Sequence, residues 1–311
     1  VIGFLLRRLG WSILVIWFVV TTTFAMLFWI PADPARTLVG PHGDEATLKR
    51  VRKQYCLDKG FIGQYGCFVG RMMRGDLGTS FRTHRKVTEV LAQKVWPTAQ
   101  LALAVIFLQL IIAIPLGLVA AMKRNQAADY AANVAALIGQ SAPTFFIGPL
   151  FMYFFGYLLG WFPVSGYGGG GWDRIHHLIM PATTMAVVGI AYYTRLVRSE
   201  MIEVLQEDYI RTARAKGLPR WKVIGKHGLR NGLAPVITLL GLDLGILMGG
   251  AVVTEAIFAW PGLGREVLQA VLEFDIPMVL GVVVFTAVAI VAANLIVDVV
   301  YAVVDPRVRL E

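Results

Sequence analysis

Six stretches of this chain lack charged side chains over lengths that suit a bilayer. They are residues 9–32, 95–122, 130–172, 175–194, 231–254 and 276–297, the fifth interrupted only by Asp243. A helix crossing roughly 30 Å of hydrocarbon needs about 20 mostly apolar residues. The 130–172 stretch is too long for one plain span, and Pro163 with Gly166-Tyr-Gly-Gly-Gly-Gly171 cannot continue a helix, so it holds one span and a loop. Ser141-Ala-Pro143 breaks that span, as is tolerated where neighbours satisfy the freed carbonyls. Only 16% of the 311 residues are charged, against about 25% in soluble domains, too few to coat a soluble surface. Intrinsic disorder is excluded, because disordered chains are poor in apolar residues. A net charge of +9 at 57% hydrophobic residues does not fit a nucleic-acid binder. The expected fold is an all-α integral membrane protein with six transmembrane helices.

Lysine and arginine in short loops mark the cytoplasmic side. Arg7 and Arg8, Lys123 and Arg124, nine basic residues between Arg195 and Arg230, and Arg307 with Arg309 all fall on one face, so both termini are expected in the cytoplasm. The chain divides into an N-terminal segment and first span (1–30), an extracytoplasmic cap (31–96), a transmembrane core (97–304) with cytoplasmic helices at 199–232, and a tail (305–311). The cap carries twelve basic residues, but long segments translocate regardless of charge. The first span exceeds the apolar core of about 7–15 residues in a signal peptide, so a retained anchor is expected.

Within the cap, Pro31-Ala-Asp-Pro34 ends span one. Residues 44–55 have helical periodicity with Leu48, Val51 and Tyr55 on one side, Gly75-Asp-Leu-Gly78 is a turn, and Thr88–Val95 is a helix leading into Pro97. The only cysteines, Cys56 and Cys67, lie here, and two outcomes stay open: a disulfide, or two reduced buried thiols.

Several motifs resemble chemistry without its context. Gly166-x-Gly168-x-x-Gly171 matches a dinucleotide fingerprint, yet it sits between two spans rather than between a strand and a helix. Gly225-Lys226-His227 lacks the upstream glycine and the Ser/Thr of a phosphate-binding loop. His176 and His177 are adjacent and do not share a helix face, so no metal site is expected. Arg74-Gly75-Asp76 is a turn. No nucleophile–base constellation is visible.

Residues 199–232 are helical in composition yet too charged to span. Acidic Glu203, Glu207 and Asp208 precede basic Arg211, Arg214 and Lys216, which suits the helix dipole, and Glu207–Arg211 has favourable spacing. Gly217 can take a left-handed stop and Pro219 can start a second helix at its first position. Small Ala213 and Ala215 would let another backbone approach. The plan fits a docking surface better than a solvated loop.

Arg211-Thr-Ala-x-x-x-Gly217 resembles the cytoplasmic EAA-x-x-x-G motif of ABC importer permeases, with Arg-Thr in place of Glu-Ala. The longer run Glu207-Asp-Tyr-Ile-Arg-Thr-Ala-Arg-Ala-Lys-Gly-Leu218, with His227-x-Leu-Arg-Asn231 and Pro235, resembles B-type permeases of dipeptide, oligopeptide and nickel importers. Arg74–Gly78, Ser141–Phe145, Gly249–Phe258, Trp260–Gly264 and Asp305–Arg309 extend the resemblance nearly end to end; the stretch 56–67 departs from it. The resemblance implies a coupling helix formed by Glu207, Asp208, Tyr209, Arg211, Thr212, Ala213, Ala215, Lys216, Gly217 and Leu218. It also implies two separate ATPases carrying ATP and Mg, a second permease in a heterodimer, an external substrate-binding protein, and a bacterial inner-membrane location. Peptides are the favoured cargo, with nickel chelates as the alternative. An ATP-independent channel or secondary transporter, and then a membrane enzyme, are the competing readings.

Inside the membrane, Asp243, Glu255, Asn294 and Asp298 are candidates for a polar route, because intramembrane acids face cavities or partners. Gly241, Gly245 and Gly249 form a small-residue face for close helix packing, either within the chain or against a second permease.

Overall fold

The computed structural model describes residues 2–29, 34–39 and 44–304. Pro31–Asp33, Asp305, Arg307 and Arg309 lie outside them, as does the side chain of Asp298. Among the described residues there is no β-strand; Thr79 and Lys86 form one antiparallel bridge.

Helix α1 (Ile2–Phe28) is followed by the short α2 (Pro34–Val39), α3 (Glu45–Gln54) and α4 (Phe61–Met72). Asp44 caps α3 by accepting from the Thr47 amide. Helix α4 occupies the unfamiliar stretch around the cysteines, where no helix was expected. Helix α5 (Val87–Met122) runs unbroken through Pro97 and Pro115. At about 1.5 Å per residue its 36 residues measure about 54 Å, more than hydrocarbon needs. Thr88–Val95 is therefore continuous with the apolar part of α5 rather than a separate helix ending before Pro97.

Helix α6 (Ala127–Ser141) and α7 (Thr144–Phe151), which widens to π-helical turns over Met152–Leu158, meet at 99°. Pro143 supplies no amide, and the residue before a proline is pushed out of the helical region, as Ala142 is at φ −86°, ψ 117°. Helix α8 (Gly171–Val204) is long and apolar enough to cross a bilayer and runs on without a break, so residues 199–204 belong to it rather than to a separate helix. Helix α9 (Asp208–Ala215), α10 (Arg220–Lys222), π-helical turns over Val223–Leu229 and α11 (Arg230–Gly232) form an elbow. Helix α12 (Ala234–Met248) is bent by 47° from the helical segment 220–232. Helices α13 (Val252–Ile257), α14 (Leu263–Leu272) and α15 (Ile276–Val304) complete the chain. The span expected over 231–254 is thus shorter, and Glu255 lies on a separate small helix.

Four straight helices are long and apolar enough to cross a bilayer, and each bent pair is a candidate for one more. Helix α5 packs along α8, and α12 along α15. One core joins Leu101 and Val105 of α5 to Ala182 and Ala186 of α8 beneath Trp260. At the other end of that pair, Ala113 and Ala121 meet Tyr193, Val197 and Met201. Asp275 staples the 79–86 loop to the start of α15. Its fully buried carboxylate accepts from Ser80 Oγ, from the amides of Phe81 and Arg82, and from the Met278 amide.

Candidate functional site

The elbow at 208–232 is held from beneath and open above. Ile210, Ala213 and Val223 are buried together with Leu205 beside them. The apolar positions 210 and 213 share a helix face, so α9 sets its polar residues outward. Gly217 closes α9 at φ +75°: its amide donates to the Arg214 carbonyl and that of Leu218 to the Ala213 carbonyl, a Schellman ending. Pro219 is the cap before α10 rather than its first residue, with ψ 146°. Gly228 and Gly232 lie against Met201 of α8, and Asn231 Nδ2 donates to Tyr209 Oη at 3.0 Å.

Glu207, Asp208, Tyr209, Arg211, Thr212, Ala215, Lys216, Gly217 and Leu218 are all exposed. Two expectations change. Arg211 pairs with Asp208 at 3.3 Å rather than with Glu207, whose carbonyl instead accepts the Arg211 amide. Ala213 packs inside the elbow against Val223 and so presents no surface to a partner. Sequence reasoning missed Trp221, which is 71% exposed beside Leu218 among Lys222, Lys226 and His227. The signal was present: a large aromatic inside a charged run.

Three of the route candidates stand on three different helices, Asp243 on α12, Glu255 on α13 and Asn294 on α15. Glu255 is fully buried, accepting from Thr98 Oγ1 at 2.9 Å and from the Arg265 amide at 3.0 Å. Its carboxylate fills the place where a Cβ on Gly262 would sit. A group so enclosed lines no route in this structure; it fixes the Trp260–Gly264 turn to α5. Asp243 accepts from Tyr193 Oη at 2.7 Å, joining α12 to α8. Asn294 Oδ1 is buried on α15 without a hydrogen-bond partner among the described residues.

A polar cleft opens elsewhere. Asn133 and Gln140 of α6 face Tyr192, Arg195, Arg198 and Ser199 of α8 around about 470 Å³. Arg195 donates to Gln140 Oε1 at 3.2 Å. Ionisable groups on spanning helices are costly against lipid and face water or a partner instead. The sequence held this cleft in two separate polar series, legible only once α6 and α8 are known to pack together.

Gly245 and Gly249 face α15: added Cβ atoms would meet Ile290 Cα at 3.2 Å and Thr286 Cγ2 at 2.7 Å. Both glycines therefore serve packing within the chain, and Gly241 is buried on the same helix. The Gly166–Gly171 loop is fastened to the start of α8, with the Gly169 amide donating to Asp173 Oδ2 at 2.6 Å. His176 Nε2 donates to the Trp161 carbonyl and His177 Nδ1 to the Asp173 carbonyl. Among the described residues no three His, Cys, Asp or Glu converge on a metal position. Cys56 and Cys67 are joined as a disulfide, with Cα atoms 6.6 Å apart.

Residues 113–310 match the family model described as binding-protein-dependent transport system inner membrane component, and residues 1–104 match its N-terminal companion. The chain is 39% identical to the probable D,D-dipeptide transport system permease protein of Escherichia coli strain K12, over 98% of this chain and 97% of that one. It is 38% identical to the oligopeptide transport system permease protein of Bacillus subtilis strain 168, over 99% of both. The glutathione transport system permease protein of Salmonella choleraesuis strain SC-B67 is 36% identical, over 99% of both. Among solved structures, a chain of the inward-facing MetNI methionine ABC transporter superposes with a TM-score of 0.58 at 19% identity, over 70% of this chain and 96% of that one, a likeness of fold.

Proposed function

The chain belongs to the family of inner membrane components of binding-protein-dependent transport systems, and from that premise we propose that it is a peptide-conducting permease subunit of an ATP-driven importer. It is a multi-pass protein of the bacterial inner membrane, and ATP hydrolysis falls to separate subunits. The peptide assignment is supported by relatives named for dipeptide, oligopeptide and glutathione transport. The observation that carries the mechanism is the elbow. Its outer surface combines exposed charges with the apolar pair Leu218 and Trp221, the mixture of anchors and polar rim that protein interfaces use. Its inner surface is locked to α8 through Met201, so a push on α9 is delivered to a spanning helix.

In this reading six spans place both termini in the cytoplasm, counting α6–α7 and the elbow with α12 as one span each. The coupling helix is Glu207–Leu218, seated on one of two ATPases that carry ATP and Mg. A second permease completes the route, and an external binding protein delivers the peptide. The cleft between α6 and α8 forms this chain's share of the cytoplasmic half of the route. The guanidinium of Arg195 is suited to a peptide carboxylate, while Asn133, Gln140 and Ser199 offer uncharged hydrogen-bonding groups.

The test is reconstitution with the ATPases, second permease and binding protein, comparing wild type with Trp221→Ala. Peptide uptake and peptide-stimulated ATP hydrolysis should fall together while the chain still inserts. Undiminished uptake by the variant, or uptake by the isolated chain without ATP, overturns the reading.

A further inference from the structure

The glycine-rich loop before α8 takes no part in the elbow, yet it packs on Trp260, the largest fully buried side chain among the described residues. Trp260 stands on the turn between α13 and α14 rather than within a helix, so its burial depends on what covers it. Its Nε1 donates to the Pro97 carbonyl of α5 at 2.9 Å, and it shares a cluster with Leu101 of α5 and Ala182 of α8. Tyr167 of the loop meets the Trp260 ring edge to face, with centroids 4.7 Å apart. Tyr167 Oη donates to Gln100 Oε1 at 2.7 Å, and the Arg174 guanidinium lies 4.0 Å over the tyrosine ring. The Gly166 amide donates to the Phe258 carbonyl at 2.8 Å, which joins the loop to the same turn. Tyr167 is flanked by Gly166 at φ +108° and Gly168 at φ +73°, and glycine on both sides leaves the backbone other conformations to adopt. The tyrosine side chain is held by an aromatic pair, a cation–π contact and a hydrogen bond, each weak on its own.

We propose that Tyr167 is a latch that holds the outer end of this chain's route shut and lets go when the importer turns outward. The inference rests on the importer reading and its placement of this loop outside the membrane, and goes beyond it in naming the residue that must release. The two ends of α8 differ in the way a one-sided route requires. Near Arg174 the start of the helix is roofed by Tyr167 on Trp260. Near Arg195 lies the polar cleft of about 470 Å³. The two arginines stand about 30 Å apart along α8, roughly the thickness of hydrocarbon. A route open at both ends would leak, so an open inner cleft calls for a seal outside, and a stack of two large aromatic rings excludes water. The seal is separable from the scaffold beneath it. Glu255, through Thr98 Oγ1 and the Arg265 amide, ties the Trp260–Gly264 turn to α5. Tyr167 comes from the loop, so it can leave while that turn stays in place. Its departure uncovers Trp260 and opens a way to Leu101, which is 1% exposed in this state. Tyr167 acts through Trp260 and is a positioning residue rather than a cargo contact.

The test uses the full complex of both permeases and the ATPases in vesicles, with Leu101→Cys as the reporter and a membrane-impermeant maleimide added from outside. Cys56 and Cys67 are bonded to each other and do not consume the reagent. Without nucleotide, residue 101 should be protected. A non-hydrolysable ATP analogue with peptide-loaded binding protein should make it reactive. Tyr167→Ala should speed labelling of the nucleotide-free complex by about tenfold or more, the order expected when three weak contacts are lost together. The same variant should hydrolyse ATP without waiting for the binding protein. Tyr167→Phe, which gives up only the bond to Gln100, should fall between Tyr167→Ala and the parent. Trp172→Ala, a change at an exposed ring at the start of α8, should leave residue 101 protected. Equal labelling of Trp172→Ala and Tyr167→Ala overturns the latch, because general loosening then accounts for both. A nucleotide-bound complex that reacts, beside a nucleotide-free Tyr167→Ala that labels no faster than the parent, overturns the latch and leaves the importer reading standing. A residue 101 that answers to neither nucleotide nor binding protein in any variant overturns both. Tyr167→Phe carries the same comparison if Tyr167→Ala does not accumulate.

Discussion

Arg198 of α8 reaches across to Asp129 at the start of α6, its terminal nitrogen donating to Oδ2 at 2.7 Å and its Nε to Oδ1. Asp129 also accepts from the Asn125 amide at 2.9 Å and from Asn133 Nδ2 at 2.8 Å, so one carboxylate closes the α5–α6 turn and fastens it to α8. Asp129 is 3% exposed and Arg198 25%. Removing the acid leaves the partly exposed Arg198 without its partner at the edge of the cleft and the α5–α6 turn without its acceptor, so the loss falls short of the ~3–5 kcal/mol of a fully buried pair. Asp129→Ala should lower the thermal unfolding midpoint of the detergent-purified chain sharply, and Asp129→Asn by less, because the amide keeps hydrogen-bonding capacity. Equal midpoints for wild type and Asp129→Ala would show that the pair bears no such load.

Much of this architecture was legible because hydrophobic runs and proline follow local rules. Ser141-Ala-Pro143 announced the break between α6 and α7, and Gly217 the end of α9. What stayed hidden depends on tertiary neighbours. Glu255 looked like a route residue because an acid beside a span is costly. Only the packing of α5 on α14 shows that Thr98 and the Arg265 amide already satisfy it. Ala213 looked available because it is small; the fold turns it inward against Val223. The α4 helix escaped notice because its glycines and cysteines weaken helical periodicity, while Phe61, Tyr65 and Phe68 gain their order from the ring of Phe24.

Gly217 makes a prediction about backbone rather than space. Nothing lies within 4 Å of where its Cβ would sit, yet its φ is +75°. A β-carbon in that region costs about 1–2 kcal/mol, with asparagine the tolerated exception. Gly217→Asn should keep most peptide-stimulated ATP hydrolysis, whereas Gly217→Val should lose it without loss of membrane insertion. If the two behave alike, the elbow angle is not what the partner reads.

The α12–α15 contact makes a different prediction. A leucine at Gly249 would overlap Thr286, and one at Gly245 would press on the Ile290 backbone. Overpacking of this kind costs about 1–3 kcal/mol. Both substitutions should lower the melting point of the chain purified alone. A defect seen only when the second permease is present would instead place these glycines at the subunit boundary.

Tyr193 and Asp243 should behave as a coupled pair. Their contact is 2.7 Å, and Tyr193 is fully buried. A hydrogen bond to a charged acceptor contributes about 1.5–3 kcal/mol. Tyr193→Phe and Asp243→Asn should each destabilise, and the double variant should lose less than their sum. Additive losses in unfolding measurements would show that the two side chains act independently.

The last prediction concerns Arg195, which faces the cleft with Gln140 3.2 Å away. If the cleft carries peptides, its guanidinium meets the carboxyl end, a contact that glutamine cannot replace in charge. Loss of one such contact is worth about 1.5–3 kcal/mol, or roughly 10- to 150-fold in the affected step. Arg195→Gln should therefore depress uptake of free-acid peptides much more than uptake of the same peptides with amidated ends. The variant's melting point should stay near wild type, because Arg198 rather than Arg195 holds the α6 turn. A cysteine at Ser199 should react with a water-soluble thiol reagent added from the cytoplasmic side and be shielded by transported peptide. Equal losses for free and amidated peptides, with no shielding at residue 199, would remove the cleft from the route.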